Sequence, residues 1–286
     1  MEEKRGVKAA RKMTLSISSV TTIEECRQIE DLQIHIWNTK LLDTIPDHLL
    51  ITIAKNCGSV LLARWNDKPV GFAMAFLAET EDGRRKLASH MLGVQPACQR
   101  RNIGYQLKLA QRQVALNQGV ELITWTFDPL VSVNAHFNMG KLGAISNTYF
   151  RSLYGDMRSA LNAGLPSDRL EAAWWLNSAH VQTKLSAAQP SISPDEALVL
   201  NPSPAGPNEH PTATNALRPL RESRHFVRIP PNIEALKAED TPLSLAWQRQ
   251  IRRLLEDAFA AGYFIADFIR LATKNESYYV LQRGER

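Results

Sequence analysis

Several features that mark specialised protein classes are scarce or missing in this chain. Cysteine is scarce: Cys26, Cys57 and Cys98 are the only three in 286 residues, and they lie far apart. That spacing suits neither a disulfide framework nor a metal site, so the thiols read as reduced and mostly structural, and no metal is expected. Long apolar runs are missing too. No stretch could span a bilayer, and the opening Met-Glu-Glu-Lys-Arg has no secretory core, so the expectation is a cytoplasmic protein without a membrane partner. A basic face interleaved with aromatics is not found outside the amino terminus, which argues against nucleic acid.

What is present describes a chain able to bury a large core, with 44% hydrophobic residues and a formal charge of +5. Lys4, Arg5, Lys8, Arg11 and Lys12 crowd residues 1–13, which read as a solvated tail. The rest is nearly balanced in charge, so the excess points to an anionic partner without choosing one.

The most informative stretch is 87–109. An apolar strand ending at Val94 passes through the short basic turn Gln99-Arg100-Arg101-Asn102-Ile103-Gly104 into an amphipathic helix over 104–117. Such a turn aims free backbone N–H groups, the positive end of the helix dipole and two arginines at one spot, a receptor for phosphate or pyrophosphate. It has neither Gly-x-x-x-x-Gly-Lys-[Ser/Thr] nor three spaced glycines, which excludes a P-loop and a Rossmann fingerprint. An ordinary strand-to-helix connection with surface arginines is the alternative.

Further strands are predicted at Leu15–Val20, Ser59–Trp65, Pro69–Leu77, Val120–Phe127, Tyr149–Tyr154 and Leu170–Leu176. Asn66-Asp67-Lys68 reads as a hairpin turn. Helices are predicted at Thr22–Trp37 and Ser132–Leu142, with Gln118-Gly119 and Gly143 as stops. Residues 177–220, punctuated by Pro190, Pro194, Pro202, Pro204, Pro207, Pro211 and Pro219, read as a linker or extended arm. Order returns with a strand near Phe226–Pro230, a helix at Leu243–Ala261 closed by Gly262, and strands at Tyr263–Leu271 and Ser277–Gln282.

The turn resembles the [Gln/Arg]-x-x-Gly-x-[Gly/Ala] signature of the GNAT superfamily, the acyl-CoA-dependent N-acyltransferases. Gln99 and Gly104 fit it. Asn102 replaces the middle glycine, and asparagine is the side chain that best tolerates a positive φ. The order β-α-β-β-β-α-β-α-β-β matches the superfamily from about residue 14 to 176. The implied fold is α/β, a mixed and mainly antiparallel sheet flanked by helices, with a smaller carboxyl-terminal α+β region. The implied division is a tail (1–13), an acyltransferase domain (14–176), a linker (177–220) and a region (221–286) that is either a degenerate half-repeat of the fold or an extension completing a sheet or dimer.

The resemblance also implies roles. Backbone groups of Met91, Leu92, Gly93 and Val94 would bond the pantetheine arm of acetyl-CoA or another short acyl-CoA, and the amides from Arg100 to Tyr105 its pyrophosphate. Asn134 would touch the pantetheine, or it or Ser132 would cap a helix. Asp128-Pro129 would end a strand that splays from its neighbour. Amine acylation needs a general base, and alternation places His90 on the face of Leu92 and Val94. It is either that base or a hydrogen-bonded core histidine, with Glu79, Glu81 and Asp82 in competition. The tyrosine that many relatives carry four residues before the closing glycine is Met139 here, so Tyr149, Tyr154, His136 or water would protonate the leaving thiolate.

Motifs such as Thr126-Phe127-Asp128-Pro129-Leu130 and Pro166-Ser167-Asp168-Arg169 look like those of a bacterial branch of mostly unassigned acyltransferases, some resembling enzymes that acylate amino acids. The implied acceptor is a small-molecule amine, an amino acid by preference. Trp37, Asp43, Pro46, Tyr149, Tyr154, Asp168 and Arg169 are its candidate contacts, although Arg169 has a structural alternative in pairing with Asp168 or Glu171. Trp247, Gln248, Arg252 and Arg253 read as packing and solvating a helix. The other reading of the whole is a non-catalytic module that senses CoA or binds a partner. As an enzyme the chain would be a monomer or homodimer.

Overall fold

The computed structural model describes residues 14–155, 166–186, 193–203, 212–214, 216–271 and 273–284. The expected tail at 1–13 and Pro190, Pro204, Pro207 and Pro211 lie outside them. The chain divides into two compact units, Met1–Gly119 and Val120–Arg286. Among the described residues no helix is long and apolar enough to cross a membrane.

The first unit contains β1 (Leu15–Ser19), α1 (Ile23–Trp37), α2 (Asp47–Lys55), β2 (Ser59–Trp65), β3 (Lys68–Glu79), β4 (Arg85–Val94) and α3 (Ile103–Asn117). Its strands form an antiparallel meander in the order β1-β2-β3-β4. Helix α1 starts at a capping box: Thr22 Oγ1 accepts from the Glu25 N–H, and the Glu25 carboxylate accepts from the Thr22 N–H. The β2–β3 hairpin closes on Asn66 and Asp67, both at positive φ as a tight two-residue turn requires. Strand β2 is apolar on both faces because both are covered. Val60 and Leu62 meet Cys26, Ile29, Leu32, Leu50 and Ile53 of α1 and α2, whereas Leu61 and Ala63 meet Ile103 and Leu107 of α3. Helix α2 was not expected from sequence. It is nine residues long and buries only Leu50 and Ile53, too little periodicity to stand out.

The second unit contains β5 (Leu122–Phe127), α4 (Ser132–Ala135), which a π-helical turn extends over His136–Lys141, β6 (Tyr149–Phe150), β7 (Arg169–Trp175), α5 (Ala179–Leu185), β8 (Arg224–Ile229), α6 (Ile233–Glu239), α7 (Thr241–Ala260), β9 (Tyr263–Leu271) and β10 (Glu276–Arg283). It holds two antiparallel arrays, β5-β7-β6 and β8-β10-β9. The mixed α/β class, mainly antiparallel strands flanked by helices with a further small carboxyl-terminal sheet, is as expected.

Two expectations are corrected here. The strand foreseen at Tyr149–Tyr154 stops at Phe150, since Ser152 takes a positive φ and its N–H bonds Asp168 Oδ1 at 3.0 Å. Residues 177–220 are not wholly irregular. Ser178 caps α5, and Asn201 pairs with the backbone of Arg228 through both ends of its amide, at 2.8 and 2.9 Å.

Candidate functional site

The connection from β4 to α3 is held at its base by two glutamines. The Gln95 N–H donates to the Val70 carbonyl (2.8 Å), and Gln99 Nε2 donates to the Val94 carbonyl (3.2 Å). After the short 3₁₀ turn Pro96–Cys98, Arg100 and Asn102 take left-handed conformations with φ of +61° and +64°. Asn102 thus does what the glycine it replaces would do, as expected; the positive φ of Arg100 had no sequence signal. The alternation makes a concave run of N–H groups leading into the first turn of α3. The N–H groups of Ile103, Gly104 and Tyr105 have no carbonyl four residues back within the helix, and Asn102 makes no side-chain cap.

The surrounding side chains leave this concavity open and positive. Arg100 and Arg101 are exposed, with the Arg101 guanidinium 5.4 Å from the Trp65 ring centroid. A Cβ at Gly104 would meet nothing nearer than Leu92 Cδ2 at 3.5 Å, so packing does not require glycine there. Gly93 is different: a Cβ would lie 2.9 Å from Ile36 Cδ1 and 3.2 Å from Trp37, against which its strand packs. Trp37, expected at the acceptor, is a partly buried member of that core, edge-on to Phe72.

His90 does not lie on the face of Leu92 and Val94, because β4 bulges. Met74 pairs with Met91 and Ala75 with Ser89, leaving His90 as the extra residue. A bulge breaks the period of two. Leu92 and Val94 pack under α3, whereas His90 lies beside Phe76, whose ring belongs with α1 and α2. Although His90 is exposed, partial desolvation of its ring there lowers the imidazole pKa from 6.5 and favours the neutral, proton-accepting form.

The bulge has a neighbour that the sequence reading passed over. Lys108, 3% exposed on α3, donates from Nζ to Ser89 Oγ (2.9 Å) and to Gln111 Oε1 (3.0 Å). Burial lowers its pKa from 10.5 to about 7. The available signal was a lysine beside the buried stripe Ile103, Leu107, Gln111, Ala115.

In the second unit, Tyr149 and Asp168 come together in a structural knot. Asp168, 1% exposed, accepts Tyr149 Oη (2.7 Å), the Ser152 N–H (3.0 Å) and a bidentate pair from Arg252 (2.8 Å each). Burial, and then the Asp168 carboxylate, drive the Tyr149 phenol far above its ordinary pKa. Arg252, expected to be solvated, is therefore the charge partner of Asp168, while Trp247 is buried as expected and Gln248 Nε2 donates to the Pro166 carbonyl. Arg169 donates to the Asp168 backbone carbonyl (2.7 Å) and lies over the Tyr154 ring. Tyr154 is 48% exposed, its hydroxyl 2.9 Å from Thr126 Oγ1. Asn134 is exposed on α4, and neither it nor Ser132 caps the helix; Ser132 bonds Ser277 instead. His136 belongs to the π-helical turn, with Nδ1 buried and its pKa lowered chiefly by burial. Asp128 Oδ1 accepts the Leu130 N–H (2.8 Å), which shapes the turn after β5, and burial raises that carboxyl. Among the described residues no group of His, Cys, Asp or Glu is arranged to hold a metal ion.

The sequence profile of the Acetyltransferase (GNAT) family matches residues 23–140. No curated protein matches the chain. Solved structures similar to it include Naa50 of Arabidopsis thaliana in complex with a bisubstrate analogue, at 17% identity over 56% of this chain and 97% of that one, with a TM-score of 0.44. The ribosomal-protein-S18-alanine N-acetyltransferase of Escherichia coli is similar at 16% identity over 58% and 96%, TM-score 0.44. So is yncA of Salmonella typhimurium with its cofactor acetyl-CoA, at 16% identity over 58% and 97%, TM-score 0.46. With the profile match running from the start of α1 into the π-helical turn, and the Gln99–Gly104 connection inside it, residues 23–140 form a segment of the GNAT acetyltransferase family.

Proposed function

We propose that this chain is an N-acyltransferase that moves an acetyl or other short acyl group from acyl-CoA to the amino group of a small molecule, an amino acid by preference. The observation that carries the reading is the β4–α3 connection, where Arg100 and Asn102 in left-handed conformations and a glycine not required by packing present free N–H groups beside two exposed arginines. Coenzyme A brings the pyrophosphate such a cradle fits, and salt would weaken the arginine contribution.

In this reading the acceptor amine attacks the thioester carbonyl directly, and the tetrahedral intermediate expels the CoA thiolate. His90, held neutral, takes the proton from the amine. Tyr154 rather than Tyr149 returns a proton to the thiolate, since the Tyr149 hydroxyl is committed to a carboxylate. Arg169 and Trp37 serve the acceptor side only through the segments they brace. The acyltransferase domain is read as residues 14–176. The region 221–286 is read as a half-repeat, because β8-α7-β9-β10 has the connections of β5-α4-β6-β7, with the last strand again inserted between the other two.

Thermal unfolding with CoA, acetyl-CoA, succinyl-CoA and ATP tests the cofactor site, since a ligand of the native state raises the midpoint by mass action. A rise with one acyl-CoA and none with ATP supports the reading and selects the donor for an amine screen. No shift with any CoA species, or equal CoA binding by the Arg100→Glu/Gly104→Trp double variant, overturns it.

A further inference from the structure

The helix that begins at the proposed phosphate turn also grips the strand that carries His90, the base in the preceding reading. Lys108 sits five residues into α3, and its Nζ reaches Ser89 Oγ, on the residue immediately before the bulged His90. A bulge leaves ladder groups unpaired and gives its strand freedom to relax, yet the sequence places a buried lysine, held from its other side by Gln111 at 3.0 Å, where it fixes one edge of that bulge. Burying a lysine side chain costs free energy that an apolar residue would not. On packing grounds alone, a leucine or methionine between Leu107 and Leu109 would serve α3 better. The Nε2 of Gln111 is itself buried without a hydrogen-bond partner among the described residues, so this cluster keeps a polar arrangement that the core does not optimise.

We propose that Lys108 is a positioning residue: through Ser89 it sets the geometry of the β4 bulge, and hence the environment of His90, relative to the phosphate turn at the start of the same helix. The inference rests on the proposed function, in which β4 carries the base His90. It assigns Lys108 no contact with the substrate. Its consequence is that CoA recognition and the chemistry at His90 are built on one rigid element.

The decisive experiment is NMR titration of the histidine side chains in the full-length chain, with His90 assigned through a His90→Gln variant and the exposed His35 and His48 as internal controls. In both Lys108→Met and Ser89→Ala the bulge relaxes and the packing of the His90 ring beside Phe76 loosens. The His90 midpoint then rises as that partial desolvation is relieved, while the exposed controls do not move with it. Acetyl-CoA affinity measured by calorimetry falls about fivefold in the same variants, through the shifted strand and not through a lost ligand contact, while that of CoA without the acetyl group is held. A His90 midpoint unmoved in Ser89→Ala overturns the proposal; this smaller substitution decides the matter if Lys108→Met fails to fold. A wild-type chain that binds no CoA would defeat the acyltransferase reading by itself, and the histidine titration would still report on Lys108.

Discussion

A Cβ at position 104 would come no nearer to the protein than ordinary van der Waals contact, and alanine is the better helix former by up to about 1 kcal/mol. Gly104→Ala is therefore expected to keep or raise the unfolding midpoint while, if the proposed phosphate site holds, weakening CoA by about tenfold or more, because the added methyl would crowd the amides that site offers. Parallel melting curves and calorimetric titrations check both halves. Asn102 gives the converse test: Asn102→Ala, at a φ of +64°, should cost roughly 1 kcal/mol in urea unfolding, whereas Asn102→Gly should not. Lys108 makes stability depend on pH in an unusual direction. Its amine titrates near pH 7 when folded and near 10.5 when unfolded, so between those values the unfolded chain holds a proton that the folded chain does not. Stability then rises with pH across that window, by up to about 1.4 kcal/mol per unit, and this contribution is flat below pH 7. Urea unfolding at pH 7 and pH 9 should show the wild type gaining roughly 2 kcal/mol on Lys108→Met. At this scale the sequence was legible where chemistry dictates conformation, as in Asn102 standing for glycine. It was not legible where a register shift intervened: Leu87 and Ser89, then Leu92 and Val94, share the α3 side of β4 only because His90 is skipped.

Helix α7 illustrates how an element can be read correctly for its packing and wrongly for its charge. Its buried stripe, Trp247, Ile251, Leu254, Leu255 and Ala258, follows helical spacing and was visible in sequence. The role of Arg252 was not, because its partner Asp168 is 84 residues away and nothing local distinguishes Arg252 from the exposed Arg253. Removing the guanidinium leaves a buried carboxylate with only a phenol and one amide for company. Arg252→Met should therefore destabilise by about 3–5 kcal/mol in urea unfolding, and adding Asp168→Asn should recover much of the loss. If the single variant is as stable as the wild type, the pair is ornamental. Elements with strong local signals, such as α1 with its capping box and the β2–β3 hairpin with Asn66-Asp67, were found where expected. Short elements whose stability is tertiary, α2 and the two-residue β6, were respectively missed and overextended.

The carboxyl-terminal unit joins two topologically alike halves, and the joining depends on contacts between residues distant in sequence. Both helices end at glycines of positive φ, Gly143 and Gly262, and each is followed by two strands, the later of which pairs between its neighbours. That order was legible from the pattern of strands and stops. What the pattern could not convey is that the halves share their hydrogen bonds. Ser146 and Ile265 exchange backbone bonds at 3.1 and 2.7 Å, Ser132 pairs with Ser277, Arg151 forms a bidentate pair with Glu256, and Arg252 neutralises Asp168. A chain ending at residue 220 would lose one partner of every pair and leave the buried Asp168, Ser132 and Ser146 without those bonds, each costing about 1–3 kcal/mol when left unmade, whereas the exposed Arg151 would turn to water. Against a domain stability of roughly 5–15 kcal/mol, that is enough to abolish the unit. Hydrogen exchange on the truncated chain should accordingly show β7 amides, protected in the full-length protein, exchanging as fast as an unfolded strand. Protected β7 amides would instead mean that residues 120–220 fold alone and that the shared bonds add orientation rather than stability.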